Sequence, residues 1–522
     1  MTAFSAESFA AALAIIGVVI IISALLSGLI ERSGLPQVAV FLGLGVALGP
    51  FGLRLLDISL DSMTLRVVAT LSLALVLFTD AVSLNIAEVK RRGGLALRLL
   101  GPGTLLNALL MALAGWWLLG LPVAAAAILG AALASSDPVL LRGLLRRRDI
   151  PADARHGLQL ESGLNDVVLL PVVLVAMAFL DHGAPGGAGF AKLGLNLLIL
   201  GPGAGVLIGL LGVAALDLIR KRLGVRRDYE SLYSLGVAFT AFAAAEAVHG
   251  SGFLAAFAAG MTIAALDVEL CDCFIEYGGV TAEMLLLFTF VLLGSSVIWT
   301  GLSVINGATL LFTAVAVLTR TPVYLLSLIG SGVDLRGRLL IAWFGPRGLS
   351  SLLLVLLPVF AGQAGSQQLF AICSLVVLVS VVLHGGSPML LAQIARQRAR
   401  REQTLSGGEV SRDEEAAAPI SHGDEQTPSE GVRTADVVNL TNASGADDVG
   451  APVGKQSITF DELQRLWQAG EPVTLLDVRT ERSLEGADTQ AKGAVRMPPD
   501  HVAERARELG LNKEAWLVAY CA

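Results

Sequence analysis

Apolar stretches of membrane-spanning length follow one another from residue 10 to about residue 392, separated by Gly, Pro and small clusters of charge. Lipid offers a backbone no hydrogen-bond partner, so each stretch must satisfy itself as a helix, and ~20 apolar residues are enough to cross the hydrocarbon. The stretches lie near 10–30, 35–51, 64–84, 95–119, 122–142, 157–180, 193–219, 231–248, 252–268, 281–299, 303–330, 337–360 and 367–391. They predict about thirteen spans. With 54% hydrophobic and only 16% charged residues among 522, the chain is too apolar for a soluble globular protein. The fold class expected is an all-α polytopic membrane protein embedded in lipid, with no nucleic-acid partner. The N-terminus has no basic run and no small-residue cleavage pattern, so the first stretch is expected to stay as a span rather than leave as a signal peptide. Four scattered cysteines, Cys271, Cys273, Cys373 and Cys521, suggest free thiols rather than a disulfide framework.

The formal net charge of −7 says little, because charges in such a chain must be read by position. Basic residues follow the odd-numbered spans: Arg32; Lys90, Arg91 and Arg92; Arg146 to Arg148; Arg220, Lys221, Arg222, Arg226 and Arg227; Arg336 and Arg338; and Arg396, Arg398, Arg400 and Arg401. After the even-numbered spans only Arg54, Arg66 and Lys192 occur. This split supports an odd count, with the N-terminus outside and the C-terminal tail in the cytoplasm. The acidic loop of Asp267, Glu269, Asp272 and Glu276 weakens the assignment only slightly, since the rule counts Lys and Arg.

Within the sixth span, "LESGLNDVVLLPVVL" (160–174) places carboxylates where hydrocarbon is the solvent. On a helix Glu161 and Asn165 are four apart, as are Ser162 and Asp166, so the polar groups form one stripe while Val167, Val168 and Leu170 turn elsewhere. In the fifth span, "ALASSDPVLL" sets Ser135, Ser136 and Asp137 directly before Pro138. Proline removes a donor and disfavours helical geometry before it, which frees carbonyls for other partners. A carboxylate at a helix centre costs ~2.5–3.5 kcal/mol, so Asp137, Glu161 and Asp166 unpaired would cost on the order of 8–10 kcal/mol. A hard monovalent cation such as Na+ suits an oxygen-rich site. Low dielectric also favours the neutral carboxyl, which makes a proton the alternative occupant. A site holding either a cation or a proton is the physical core of an antiporter. The competing interpretation is that neighbouring arginines simply neutralise the carboxylates at a helix interface.

"SSDP", "ESGLND", "EAVHGSGFLAAFAAGM" (246–261), "FVLLGSSV" (290–297) and "FGPRGLSS" (344–351) together resemble the sodium/proton exchanger branch of the cation/proton antiporters. "GLPQVAVFLGLGVALGPFGL" (34–53) is similar to that family's second span. The resemblance covers residues 10–392. It implies a homodimer in a bacterial-type inner or plasma membrane, with a core domain moving against a dimerisation domain as Na+, or Li+ or K+, exchanges for H+. It also implies that Asp166 is the main cation and proton carboxylate, with Asp137, Ser162 and the backbone near Ser136 as further ligands to Na+. Asn165 would orient the site and Glu161 would pair with Arg347. Ser136 stands where the family commonly has Thr, which keeps the hydroxyl. No cofactor is implied beyond the transported ions.

A second apolar span, "IAWFGPRGLSSLLL", is broken at Gly345, Pro346 and Gly348 as the fifth is at Asp137-Pro138. Breaks at matching places seven spans apart point to inverted repeats and to a site near the midplane between them. The electrogenic branch of the superfamily has Asp-Asp, and often an intramembrane lysine, where this chain has Asn165-Asp166. All six lysines (Lys90, Lys192, Lys221, Lys455, Lys492, Lys513) lie in loops, at span edges or in the tail, so exchange is expected to be electroneutral. Asp80 and Glu283 read as interfacial charges, Glu246 and Arg320 as members of structural ion pairs, and His249 as a polar edge residue that could also sense pH.

Three regions are expected: a transmembrane antiporter domain (1–395), an acidic linker without apolar periodicity (396–455), and a small α/β module (456–522). The module contains "SITFDELQRLWQAG" as a helix, with "PVTLLDVR" and "EAWLVAYCA" as strands. With "LLDVRTERSLEGADTQAKGAVRMP" it resembles part of a rhodanese domain, in which Cys521 would occupy the active cysteine's position. The loop that would follow Cys521 is missing from the sequence, so the module is expected to be inactive and the chain is expected not to be an enzyme. The rival function is a membrane-anchored sulfurtransferase. About three quarters of the length is devoted to spans, which argues against a mere anchor.

Overall fold

The computed structural model describes residues 37–384, apart from breaks at 85, 146–149, 183–186, 223–226 and 267–271. It also describes 471–478, 494–497, 516–520 and a few isolated positions. The chain divides into two compact units, 1–412 and 413–522. The principal helices of the first are α1 (Gln37–Leu48), α2 (Met63–Val82), α3 (Gly93–Leu119), α4 (Val123–Ala134), α5 (Pro138–Leu145), α6 (Ala152–His182) and α7 (Gly201–Arg222). They continue with α8 (Arg227–Ala247), α9 (Gly252–Ala265), α10 (Asp272–Ser295), α11 (Gly307–Ser327), α12 (Leu335–Trp343), α13 (Leu349–Phe360) and α14 (Ser366–His384). Among the described residues, seven helices are long and apolar enough to cross a membrane, and five apolar helices are shorter, at 10–17 residues. Most of the first expected span lies outside the described residues.

Local chemistry sets the helix ends. Ser62 accepts from the Leu65 N–H at the start of α2, and Asp334 accepts from the Gly337 N–H at the start of α12. Asn306 and Thr309 exchange hydrogen bonds as a capping box ahead of α11, each cap satisfying a donor that the helix leaves over. α3 ends on Gly120 at φ 64°, a left-handed cap for which glycine has no Cβ penalty. Inside α3, residues Leu99–Leu105 widen into a π-helical turn around Pro102. Proline cannot donate to the ladder, and the wider turn lets the Thr104 hydroxyl reach the Leu99 carbonyl at 3.1 Å. That side chain is needed at the site below.

Lipid tails are as apolar as leucine, so helices in a bilayer associate by close packing rather than by escaping solvent. α1 and α10 meet through Gly45 and Gly294, where a Cβ on Gly294 would lie 2.6 Å from the Leu42 carbonyl oxygen. α4 is alanine-rich and buried along nearly its whole length, between α3 and α6. Conversely, Leu105, Leu109, Leu113, Trp116 and Trp117 of α3 and Leu310, Leu311 and Leu318 of α11 are exposed, as expected of surfaces that meet lipid.

The second unit contains a three-stranded parallel sheet of order β2-β1-β3, from β1 (Val473–Asp477), β2 (Val495–Arg496) and β3 (Trp516–Tyr520). Buried Asp477 ion-pairs with Arg496 at 3.4 Å across the β1–β2 pairing. Most of the expected helix and Cys521 lie outside the described residues.

Because Gly294 sits against backbone that cannot yield, Gly294→Val is expected to destabilise the protein by ~1–3 kcal/mol through overpacking. Leu310→Val on the exposed face of α11 is expected to change stability little. Thermal unfolding of detergent-purified protein distinguishes the two.

Candidate functional site

Two interrupted helices cross, and each supplies what the other's break leaves unsatisfied. α4 stops at Ala134, Ser135 is extended (φ −65°, ψ 136°), and α5 begins at Pro138. α12 stops at Trp343 and α13 begins at Leu349. Between the breaks the Asp137 N–H donates to the Pro346 carbonyl at 2.9 Å. The Leu349 N–H donates to Asp137 Oδ2 at 2.6 Å, so Asp137 caps the N-terminus of α13. Arg347 Nη1 donates to the carbonyls of Ala134 and Ser135, at 3.0 and 3.3 Å, where α4 has left them without a helical partner. The Ser351 hydroxyl adds a 3.4 Å bond to the Ser135 carbonyl. The backbone N–H of Arg347 is held by Ser380 Oγ of α14 at 2.8 Å, and Ser380 in turn contacts His384 Nδ1 at 3.1 Å.

Close approach explains the glycines of "FGPRG". A Cβ on Gly348 would overlap the Asp137 carboxylate, and one on Gly345 would overlap the Arg320 guanidinium. Both clashes are with groups pinned by their own bonds, so neither position tolerates even alanine without moving the crossing.

The polar stripe on α6 packs directly beside the crossing, and Glu161, Ser162, Asn165 and Asp166 are all buried. Glu161 does not pair with Arg347. Its partner is Arg320 of α11, through Nη1–Oε1 at 3.0 Å and Nη2–Oε2 at 3.2 Å. The bidentate fork is completed by the Ser136 hydroxyl on Oε1 (2.9 Å), the Tyr324 hydroxyl on Oε1 (3.1 Å), and the Ile341 and Phe344 carbonyls on Arg320 Nη2 (3.2 and 3.4 Å). Thr104 reaches Tyr324 at 2.9 Å and so ties the π-turn of α3 into the network. The physical reason for the exchange of arginines lies in the helix break. Arg347 is on an extended segment whose nearest needy groups are α4's carbonyls, whereas Arg320 lies one helical turn from Tyr324 on a face turned to α6. A buried ion pair survives only with good geometry and added hydrogen bonds, and Arg320 has both.

Asp166, 5% exposed, takes no arginine among the bonds described. It accepts from the Ser135 hydroxyl at 2.5 Å. Asn165 Nδ2 donates to the Ser136 carbonyl at 3.1 Å, while Asn165 Oδ1 and Arg347 Nη2 are buried with no hydrogen-bond partner among the described residues. The Ser162 hydroxyl turns back to the Gln159 carbonyl of its own helix at 3.5 Å. The crossing thus joins Asp137, Ser136, Glu161, Asn165, Asp166 and Arg347 at one place. It adds Arg320, read from sequence as a member of a structural ion pair and found in one, Ser135, named there only as part of the broken stretch, and Ser350, Tyr324 and Thr104, to which the sequence reading gave no role. Tyr324 could have been found from its i,i+4 spacing to Arg320. Ser350 could not, because its place is set by the crossing.

The outlying ionisable groups have other settings. Asp80 and Glu283 are half-buried and have interaction partners. Glu246 forms no ion pair among the described residues: it is exposed and accepts from the Gly252 N–H at 3.0 Å, at the start of α9. His249 is exposed at φ 59° in the turn between α8 and α9.

If Arg320 rather than Arg347 holds Glu161, a double-mutant cycle between Glu161→Gln and Arg320→Gln is expected to give a coupling on the order of 2 kcal/mol. The cycle with Arg347→Gln is expected to give clearly less. Thermal stability in detergent is the readout, and a larger coupling to Arg347 would restore the pairing expected from sequence.

The chain is 28% identical over 390 residues to the K(+)/H(+) antiporter NhaP2 of Shewanella oneidensis, covering 72% of this chain and 65% of that protein. It is 25% identical over 381 residues to the K(+)/H(+) antiporter NhaP of Alkalimonas amylolytica, with the same coverage of 72% and 65%. The chain therefore spans slightly less than two thirds of the length of these relatives. Its fold is similar to that of the sodium proton antiporter MjNhaP1 of Methanocaldococcus jannaschii, with a TM-score of 0.59, 21% identity, and coverage of 72% of this chain and 98% of that one. The model of the transmembrane sodium/hydrogen exchanger family matches residues 18–392, and this integral membrane protein belongs to that family.

Proposed function

We propose that the chain exchanges a monovalent cation for a proton at Asp166, one for one, by alternating access. The observation that carries this reading is the charge balance at the crossing. Among the described residues of the first unit, the buried charged side chains are Asp137, Glu161 and Asp166 against Arg320 and Arg347. Formally one negative charge is left over. One monovalent cation or one proton neutralises it, and both together would overcharge a site where uncompensated charge is costly. Loading either occupant brings the site to the same net charge, which is what electroneutral exchange requires.

The relatives named for K+ and the structure named for sodium are the support for an alkali cation. Na+ is the first expectation, with K+ and Li+ the alternatives. The ligand set carried over by resemblance, Asp166 with Asp137, Ser162 and the backbone near Ser136, belongs to this proposal, as do inverted repeats, a homodimer and a cytoplasmic tail. A count of thirteen spans is supported by the seven long and five shorter apolar helices together with the apolar stretch 10–30 ahead of them. For the tail, the parallel sheet supports a small α/β module, and the rhodanese reading stays a proposal. No sulfur transfer from thiosulfate is expected, and finding it would favour the sulfurtransferase alternative.

The test uses the full chain in liposomes with an internal pH dye, pulsed with NaCl, KCl or LiCl while the membrane potential is clamped or left free. Proton movement is expected to be equal in both regimes and to vanish in Asp166→Asn. Exchange that changes with the clamp would overturn the one-to-one stoichiometry. Failure of every alkali cation to move protons would overturn antiport itself.

A further inference from the structure

Most oxygens near Asp166, those of the carried-over ligand set included, already hold a hydrogen bond at the crossing, while Asn165 Oδ1 is buried without a partner among the described residues. Oδ2 of Asp137 is taken by the α13 amide, and both Glu161 oxygens by Arg320, with Ser136 and Tyr324 added on Oε1. The Ser136 hydroxyl lies between Glu161 and Arg320, its carbonyl holds Asn165, and the Ser162 hydroxyl faces its own helix. A hard cation shedding water needs several oxygen ligands. The neutral side-chain oxygen bonded to the Asp166 carboxylate among the described residues is that of Ser135, just past the end of α4; Ser350, at the start of α13, is likewise buried.

We infer that Ser135, assisted by Ser350, is a ligand and specificity-determining residue for the transported cation, its hydroxyl switching from donor on the bare Asp166 carboxylate to oxygen ligand when the cation arrives. This rests on the antiport reading above. A serine hydroxyl has one hydrogen and two lone pairs and rotates freely, so it serves each occupancy in turn. It donates to bare Asp166, accepts from protonated Asp166, and offers a lone pair to a cation held by Asp166. The proton needs no further ligand, whereas the cation does. Losing the hydroxyl therefore handicaps the cation more than the proton.

Placement suits the role. Ser135 is not in a helix, so its side chain is not drawn to a carbonyl one turn back, as Ser162's is. Its own backbone is fixed by Arg347 and Ser351 at the carbonyl. The hydroxyl is thus the one part of the residue left to turn.

The measurement is the half-saturating concentration of Na+, K+ and Li+, read in two ways. One is proton movement in liposomes. The other is cation-dependent thermal stabilisation of detergent-purified protein, which needs no transport. Ser135→Ala is expected to raise the half-saturating concentration of the preferred cation about tenfold in both, the size of one hydroxyl interaction with a charged group. Ser135→Thr, which keeps the hydroxyl, is expected to recover most of that loss, and Ser350→Ala to give a smaller shift. Should the alanine variant fail to fold, Ser135→Cys replaces it, since a thiol of similar volume is a poor ligand for a hard cation. An active parent whose variant values stay within about twofold of its own overturns the inference and leaves antiport standing. A parent showing neither proton movement nor cation-dependent stabilisation overturns antiport, and this inference with it.

Discussion

Buried charge must be matched by buried charge, or by a ligand that brings it. Among the described residues of the first unit, three carboxylates and two guanidinium groups lie where desolvation is most costly, and the crossing of two broken helices is the device that places them. An intact helix consumes its own backbone groups and offers an ion nothing but side chains. Breaking α4 from α5 and α12 from α13 frees carbonyls and amides, and the two breaks are positioned to satisfy one another. Asp137 is spent on an amide and Glu161 on Arg320, which leaves Asp166 with the Ser135 hydroxyl alone among the bonds described.

That division of labour gives the three carboxylates different partners, an amide for Asp137, an arginine for Glu161 and a serine hydroxyl for Asp166. Glu161 is structural, held in a network that reaches from the π-turn of α3 through Tyr324 to α11 and the Ser136 hydroxyl. Removing one partner would leave a lone charge in low dielectric, which costs far more than the pair gains. Asp137 joins the interrupted helices. Asp166 is held by neither an arginine nor a backbone amide among the bonds described. The glycines at 345 and 348 are the permissive element, since any side chain there would occupy the volume of Arg320 or Asp137.

Surrounding helices hold this arrangement by contact rather than by hydrophobic collapse. α4 is alanine-rich so that α3 and α6 can approach it, and α1 meets α10 through glycines on both sides. The exposed leucines and tryptophans of α3 and α11 face away from the core. The same residue class thus reads differently by position: small where helices touch, large where lipid touches.

Much of this was legible in the sequence. The period and length of apolar runs dictate helices, Pro138 and the "GPRG" segment dictate where two of them break, and the i,i+4 spacing from Glu161 to Asn165 and from Ser162 to Asp166 dictates a common face. These are local consequences of backbone geometry and proline chemistry, so no distant contact is needed to infer them. What the tertiary structure decided is which arginine neutralises which carboxylate, which serine faces Asp166, and that Glu246 accepts from an amide at the start of α9 instead of joining an ion pair among the described residues. Arg320 and Arg347 are equivalent as sequence, since each is a buried cation far along the chain from α6. Only the path of the extended segment after Trp343, which carries Arg347 to α4's carbonyls and leaves Arg320 facing Glu161, tells them apart. Pairing across more than 150 residues is a matter of packing, and spacing along the chain holds no information about it.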